Sequence, residues 1–468
     1  MRAVIAALAL PALAGCVTFS EDGGFGAVNT AVRERTGQEP KWIRTEEDSS
    51  SVRARVKELL AQPLSAEAAM QVALLSNPAL QASYAEMGIA EAELVQASRW
   101  SGPKFSLARL RHGGSGATDY ERGVFFDVLG LITIPLSVRA ERKRFEAAQV
   151  RAAGEALRLA LETRKAWFVA VAAEETARYL EQAKEAAEAS AELARRMAAV
   201  GNWSKLNQAR EQAFYAETTA QLARARHANV AAREQLTRWM GLWGEDTRFR
   251  LPQRLPELPQ SVREASELEA QALTQRLDVQ LTRRETESLA ESLGLAKVSR
   301  FVNLLEIGAV SEKEADEPRH RGWEIELRIP IFDFGGARTA RAEHVYMQSV
   351  NRAMDTAIRA RSEVREAYSA YRTSLGLAKH YRDEILPLRK RISEEVLLRY
   401  NGMLMSVFEL LADSRAQVAA VNGYIESVRD FWIAESDLQM ALTGRSAGGM
   451  QTMKAAVPAG TPSAGAHE

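Results

Sequence analysis

The chain of 468 residues contains a single cysteine, so neither an internal disulfide nor a cysteine-based metal site can form. Charge of one sign is missing as well. The 61 basic residues are matched by 61 acidic ones, which leaves no global field to hold a nucleic acid. Six histidines are scattered, with no His-Glu-x-x-His pattern, Walker loop or nucleophile elbow, so no catalytic set, no metal site and no enzyme activity are expected. Gly113-Gly114-Ser115-Gly116 does not open a helix after a strand, as a phosphate loop must, and reads as an exposed loop. After residue 16 no apolar run approaches the roughly 20 residues of a spanning helix. A bilayer could then be crossed only by the strands of a closed barrel.

What is present is a duplication. Val124 to Gly130, followed by Ile134-Pro135-Leu136 and an Arg/Glu/Ala-rich run, recurs as Trp323 to Leu327, Ile329-Pro330-Ile331 and a second such run. Gly201-Asn202-Trp203-Ser204 is echoed by Gly402 to Ser406. The copies lie about 200 residues apart, too far for a solenoid period and right for a duplicated half-protein. Each half reads helix, two strands, long helix, turn, long helix.

Glu324-Ile325-Glu326-Leu327-Arg328-Ile329 alternates with period two, charged on one face and aliphatic on the other. Its predicted partner runs from Arg300 to Val310, with Phe301, Asn303, Leu305 and Ile307 on one face, and Ser311 to Arg321 as a polar loop between them. In the first half the predicted strands are Lys104 to Arg111 and Gly123 to Leu136, joined by a Gly-rich loop from His112 to Glu121. In a soluble sheet the aliphatic face would be core; in a membrane barrel it would meet lipid, and alternation alone does not decide. Two hairpins cannot close a barrel by themselves, since small barrels use about eight strands. A shared, oligomeric barrel follows.

The rest is helical. Ala140 to Val200 holds one glycine and no proline, enough for a helix of roughly 90 Å. Gly336 to Tyr400 is comparable, with Gly376 and Pro387 as candidate kinks. Val407, Leu411, Ser414, Val418, Val421, Ile425, Val428 and Trp432 keep the 4-3 spacing of a heptad seam. Val364, Tyr368, Tyr371, Leu375 and Ala378 form a second one. Gly201-Asn202 and Asn401-Gly402 stop the two outgoing helices, and Ser204 and Ser406 are candidate caps for the returning ones. Val17 to Pro63 reads as an extended arm, 244–259 as a proline-bearing linker at an equatorial belt, and the Ala/Gly/Pro-rich tail from 445 to 468 as disordered.

At the N-terminus, Arg2 and the short apolar run Ala3 to Leu10 read as a cleaved signal, residues 1–15. Leu13-Ala14-Gly15-Cys16 resembles the bacterial lipoprotein box, which implies a covalent lipid (palmitate) on Cys16. Val17, in place of an aspartate, favours the outer membrane on the same resemblance.

Several stretches resemble the TolC-type outer membrane efflux proteins, specifically their lipidated branch. Leu64-Ser65-Ala66-Glu67-Ala68-Ala69 with Asn77-Pro78-Ala79-Leu80 looks like that family's first-helix signature. Ala272-Leu273-Thr274-Gln275-Arg276-Leu277-Asp278-Val279 looks like its second copy. Ile329-Pro330-Ile331-Phe332-Asp333-Phe334-Gly335 with Arg338 is the most specific element, and Arg399-Tyr400, Gly402, Ser406 and Leu410-Leu411 resemble the helical tip. The resemblance spans Leu64 to Gly444, as two repeats, 64–243 and 260–444. It implies a mainly α homotrimer. Long antiparallel coiled-coil helices would form a periplasmic α-barrel, and two β-hairpins per protomer would contribute to a shared 12-stranded transmembrane β-barrel among outer-membrane lipids. It also implies a periplasmic adaptor (membrane fusion) protein and an inner-membrane pump of the RND or ABC type as partners. The function implied is an exit duct for efflux or type I-like secretion.

The same resemblance places an acidic gate at the tip. Glu409 matches one family acid; the second falls at Ala412, with Asp413 beside it; Asn207 holds the equivalent place in the first half. The plainer reading of Glu409 and Asp413, four apart on a helix, is a solvated face. Met403 and Met405 near the tip admit soft metal ions such as Cu(I) as cargo, and also simple packing. The rival to a duct is a periplasmic coiled-coil lipoprotein acting as adaptor or scaffold without a channel.

Overall fold

The computed structural model describes residues 17–111, 118–261, 267–302, 304–314 and 317–444. Cys16, the signal segment, the glycine-rich stretch 112–117, Asn303 and the tail from 445 lie outside the described residues.

The arm is helical rather than extended. α1 (Phe25–Thr36) and α2 (Glu46–Leu60) are laid against the body by Val28 and Val32, and by Val52 and Val56, each pair one helical turn apart. Thr45 and Asp48 close α2 with a reciprocal capping box. The first repeat opens with two helices, α3 (Ala66–Ser76) and α4 (Pro78–Ala97), broken at Asn77. The Asn77 Oδ1 accepts from the N–H groups of Ala79 and Leu80, and Pro78 fills a first-turn position that needs no N–H.

β1 (Lys104–Arg111) has the predicted bounds, whereas β2 (Thr118–Asp127) starts and ends earlier than expected. Asp127 accepts from the Gly130 N–H and starts a helix at once, so α5 (Val128–Ala199) takes in the apolar run and Pro135 that read as strand. At 72 residues α5 is about 110 Å long. α6 (Lys205–Met240) returns and ends at Gly241, whose φ of 69° lies in the left-handed region. A Cβ there would stand 2.8 Å from the Asn77 Cα, so glycine serves both the turn and the close approach.

The second repeat repeats the order: α7 (Leu268–Gln275), α8 (Leu277–Val298), β3 (Leu304–Lys313), β4 (His320–Arg328) and α9 (Gly336–His380). A π turn (Tyr381–Ile385), α10 (Leu386–Asn401) and α11 (Val407–Thr443) complete it. β3 lies later than its expected span and β4 starts earlier, so the polar loop between them is shorter than predicted; both differences favour longer ladders. Gly376 sits in unbroken helix; the break falls just before Pro387, which has no N–H and crowds the carbonyl of Asp383.

The hairpins do not stay separate. β2 pairs with β3, giving one antiparallel sheet in the order β1-β2-β3-β4. Cross-strand neighbours put Phe105, Val124, Ala309 and Trp323 in one row of one face, and Leu305 with Leu327, and Phe126 with Ile307 and Ile325, in others. The opposite face carries Lys104, Phe125, Glu306, Glu324 and Glu326; the Phe125 ring fills the space over Gly123 and Gly308.

Below the sheet, the helices form a wall in which α4 touches α5, α5 touches α8, and α8 touches α9. Alanines of α5 (Ala152, Ala153, Ala156, Ala160, Ala170) are buried and let neighbouring helices approach closely. At the equator Trp432 of α11 stacks on Phe168 of α5, ring centroids 5.2 Å apart, and donates its indole N–H to the Pro256 carbonyl. The seam through Val364, Tyr371, Leu375 and Ala378 is buried as predicted. The heptad line of α11 is buried at Ile425 and Val428 and half-buried at Leu411, Ser414, Val418 and Val421, nearer the tip.

Candidate functional site

Two features stand out: the faces of the wall and its tip. The arm marks one face of the wall. Trp42 lies against Tyr84 and Gly88 of α4, and the Gln149 amide of α5 donates to the Gly24 carbonyl. On the face turned away from the arm, the same two helices present Glu86, Glu93, Arg144 and Arg151 to a cavity of about 450 Å³, which α8 and α9 complete with Glu285 and Arg352. Four neighbouring helices thus share one concave, charged surface, with the arm on the opposite face.

The tips use one backbone device twice. In the first, Gly201 is left-handed (φ 77°) and the Asn202 N–H reaches back to the Met197 carbonyl, 3.0 Å. In the second, the Leu404 N–H reaches the Arg399 carbonyl, 2.8 Å, and the left-handed residue is Met403 (φ 58°); Gly402 is at φ −81°. The structural partner of Gly201 is therefore Met403, not Gly402, a one-residue correction to the sequence pairing; Asn401 is the last residue of α10. The turn leaves Met403 94% exposed.

Ser204 caps α6, its Oγ accepting from the Asn207 N–H. At α11 the Glu409 carboxylate accepts from both the N–H and the hydroxyl of Ser406, 3.0 and 3.1 Å. Glu409 is exposed in the first turn and holds the start of its own helix, with Asp413 one turn further along α11. Asp413 is 8% exposed, so it is no solvated-face residue, and one of its carboxylate oxygens has no hydrogen-bond partner among the described residues. Asn207 and Glu409 occupy matching third positions of the returning helices.

One turn beyond Asn207 lies a residue that sequence reasoning passed over. Glu211 is 2% exposed, accepts from the Ser190 hydroxyl of α5 at 2.8 Å and pairs with Arg415 of α11 at 2.9 Å. The Arg415 guanidinium also lies 4.5 Å from the centre of the Phe214 ring. This ion pair ties the second hairpin to the first near the tip. A signal existed: in the two-copy pairing Glu211 matches Asp413, an acid matched by an acid.

No protein-family model matches the chain, and no curated protein matches it. Solved structures do. The chain is similar to CusC, described in a study of folding and transmembrane channel formation, at 17% identity and a TM-score of 0.68, over 81% of this chain and 92% of that one. It is similar to the CmeC outer membrane channel of Campylobacter jejuni at 17% identity and a TM-score of 0.68, over 86% and 89%. It is also similar to the outer membrane protein VceC of Vibrio cholerae at 14% identity and a TM-score of 0.67, over 81% and 96%. The fold is that of outer-membrane channel proteins, as the resemblance read from the sequence implied.

Proposed function

We propose that this chain is one protomer of a trimeric exit duct in the bacterial outer membrane, passing solutes delivered by an inner-membrane pump through a periplasmic adaptor. The observation that carries the reading is the open sheet set on a curved wall. Among the described residues, β1 and β4 each have one edge without a partner strand, and the strands of 8 to 10 residues suit a bilayer crossing. Exposed strand edges of this length invite pairing with another copy, and closure removes them. Three copies of four strands give twelve, in the range of known barrels.

The sheet's faces support the same reading. Phe105, Leu107, Trp323, Ile325 and Leu327 lie exposed on one face in the single chain. Ile132, Ile331 and Phe332 extend the apolar surface to the junction with the helices. Lipid is the medium that such a band suits. The cavity opposite the arm becomes the lumen when three walls close.

A lipid on Cys16 fits the arm's course. The Val17 carbonyl accepts from the Ser98 hydroxyl at the end of α4, close before β1 enters the sheet. Val17, the first described residue, thus lies at the level of the strand bases. The tip is the other end of the duct, and Glu409, Asp413 and Asn207 are its proposed gate, where three symmetry-related acids would attract cations.

Reconstitution of the full chain in planar bilayers tests the proposal. Discrete conductance steps from a heat-modifiable trimer, and altered block by divalent cations in Glu409→Ala, are expected. A monomer released from membranes by carbonate, silent in bilayers, would instead establish the scaffold reading. Whether the cargo is a small organic molecule or a metal ion is fixed by the pump, and a drug and metal sensitivity panel on a deletion strain reads it.

A further inference from the structure

The two hairpins can be laid residue on residue from their buried positions. From the tips upward, the device that pairs Gly201 with Met403 also pairs Ala194, Ala191, Ala187 and Ala183 of α5 with Val396, Ser393, Arg389 and Ile385. The first four are buried; Val396 is buried and the other three half-buried. Higher up, the buried residues Thr163, Ala166, Ala170 and Ala177 match the buried Val364, Ala367, Tyr371 and Ala378. That upper pairing is one residue shorter than the lower one. The second outgoing helix therefore contains one extra residue, and it falls at the π turn (Tyr381–Ile385), where the Leu386 N–H reaches back five residues to the Tyr381 carbonyl. The returning helices show no such slip. Glu211, Thr218, Ala232, Leu236 and Met240 match Asp413, Ala420, Ala434, Leu438 and Leu442 in one phase, all buried.

Three features loosen the helix at this point. Pro387 withholds an N–H from the ladder. On the facing helix stands Gly423, where a Cβ would lie 2.8 Å from the Tyr381 ring; its match in the first hairpin is Gln221. Below the turn α10 buries only Val396 among the described residues, while the matching stretch of α5, residues 184–199, buries Ala187, Ser190, Ala191 and Ala194. Few buried contacts beneath a discontinuity in the ladder are the marks of a segment that opens at low cost.

We infer that the π turn is a hinge: the lower half of the second hairpin moves relative to its upper half about Tyr381–Ile385, with the Tyr381 ring seated in the notch at Gly423. The inserted residue puts the lower helix out of phase with the upper one, so the second hairpin cannot complete the continuous packing of the first and has two arrangements open to it. That this swing widens the tip rests on the exit-duct reading; the hinge itself does not.

Amide hydrogen exchange on the full-length protein in lipid tests the hinge in any oligomeric state. Peptides covering Tyr381–Asn401 should exchange about ten-fold faster than those covering 180–199. Deletion of Arg382, which removes the extra residue, should bring the two within about two-fold of each other. Pro387→Ala, which restores the missing donor and keeps the chain length, should slow exchange in the same direction and decides the matter if the deletion does not fold. Equal exchange of the two hairpins in the native protein, or native exchange rates in folded Pro387→Ala, would overturn the inference. In bilayers, Pro387→Ala should open less often than the native channel. Absence of conductance from the native protein would count against the duct and leave the exchange result to judge the hinge.

Discussion

Asn77 and Arg276 stand at the same corner of the two repeats and solve it with different chemistry. Each sits between a short helix and a longer one, α3 and α4 or α7 and α8, and each reaches across to a carbonyl near the end of that repeat's returning helix. Asn77 donates its amide to the Trp239 carbonyl at 2.9 Å, and Arg276 donates its guanidinium to the matching Ala441 carbonyl at 3.1 Å. Asn77 then caps its own helix with its other atom. Arg276, 1% exposed, has no acceptor to offer and instead binds Asp278 through two nitrogens, with Glu363 of α9 at 2.7 Å. A neutral amide finishes the corner with local backbone bonds. A cation needs carboxylates brought in from elsewhere, and so ties a third helix into the joint. The duplicated geometry is kept by the contact both copies make, and the copies diverge in what each side chain must do with its remaining atoms.

Substitution at the two corners separates those roles. Arg276→Ala strips the cation from two poorly solvated carboxylates and a buried carbonyl and should cost about 3–5 kcal/mol. Asn77→Ala removes a cap and one hydrogen bond and should cost about 1–2 kcal/mol. Denaturant midpoints on the two variants check the order. Equal losses would mean that the shared reach to the returning helix carries the joint and that the carboxylates contribute nothing beyond it.

The contrast between the copies also shows what could be read ahead of the structure. Period-two alternation placed β1 and β4, and the seam at Val364, Tyr371 and Leu375 was visible because apolar side chains at helical spacing have few other uses. The Ile-Pro-Leu and Ile-Pro-Ile triplets misled, since near-identical residues sit inside α5 in one copy and in a turn before α9 in the other. Which one results depends on Asp127, which starts a helix before its proline, and on Asp333, which accepts from the N–H groups of Gly335 and Ala337 after its own. The β2–β3 ladder joins residues nearly two hundred positions apart and leaves no local trace. At the tip, the sequence pairs glycine with glycine because left-handed turns favour it; the backbone puts Met403 there instead. Glu211 was missed because its partner, Arg415, lies on a distant helix.

The tip offers the next comparison. Gly201 adopts its left-handed φ without strain, whereas Met403 pays for the same conformation with a crowded Cβ. Met403→Gly should therefore stabilise the second tip by about 0.5–1 kcal/mol, the relief of strain less the added freedom of glycine in the unfolded chain. The readout is the denaturant midpoint, with Met403→Ala as the control that keeps a Cβ and should gain nothing. A loss on Met403→Gly would show that the exposed methionine makes a contact across the assembly, which the first tip does not need.

The smallest expected effect lies at the equator, where the buried-residue pairing sets Glu175 of α5 opposite Gly376 of α9. Only the first copy has a side chain there, and its carboxylate accepts from the Leu255 N–H of the linker at 3.2 Å. Partial burial pushes the Glu175 carboxyl above the usual carboxylate range, against the opposing pull of the Leu255 N–H, Arg254 and Arg178. A carboxyl raised on folding is comfortable when protonated and is penalised once it ionises, so its contribution to stability falls as pH rises from the unfolded value through the folded one. Glu175→Gln keeps an acceptor for Leu255 without the charge. The variant should be slightly more stable than the native protein near neutral pH, with the advantage shrinking to nothing as the medium is made acidic and the native carboxyl takes up its proton. Thermal unfolding at both ends of that range reads the sign. A variant less stable at neutral pH would mean that Arg254 and Arg178 outweigh burial, and that the first copy's side chain holds the linker by charge rather than by a backbone hydrogen bond.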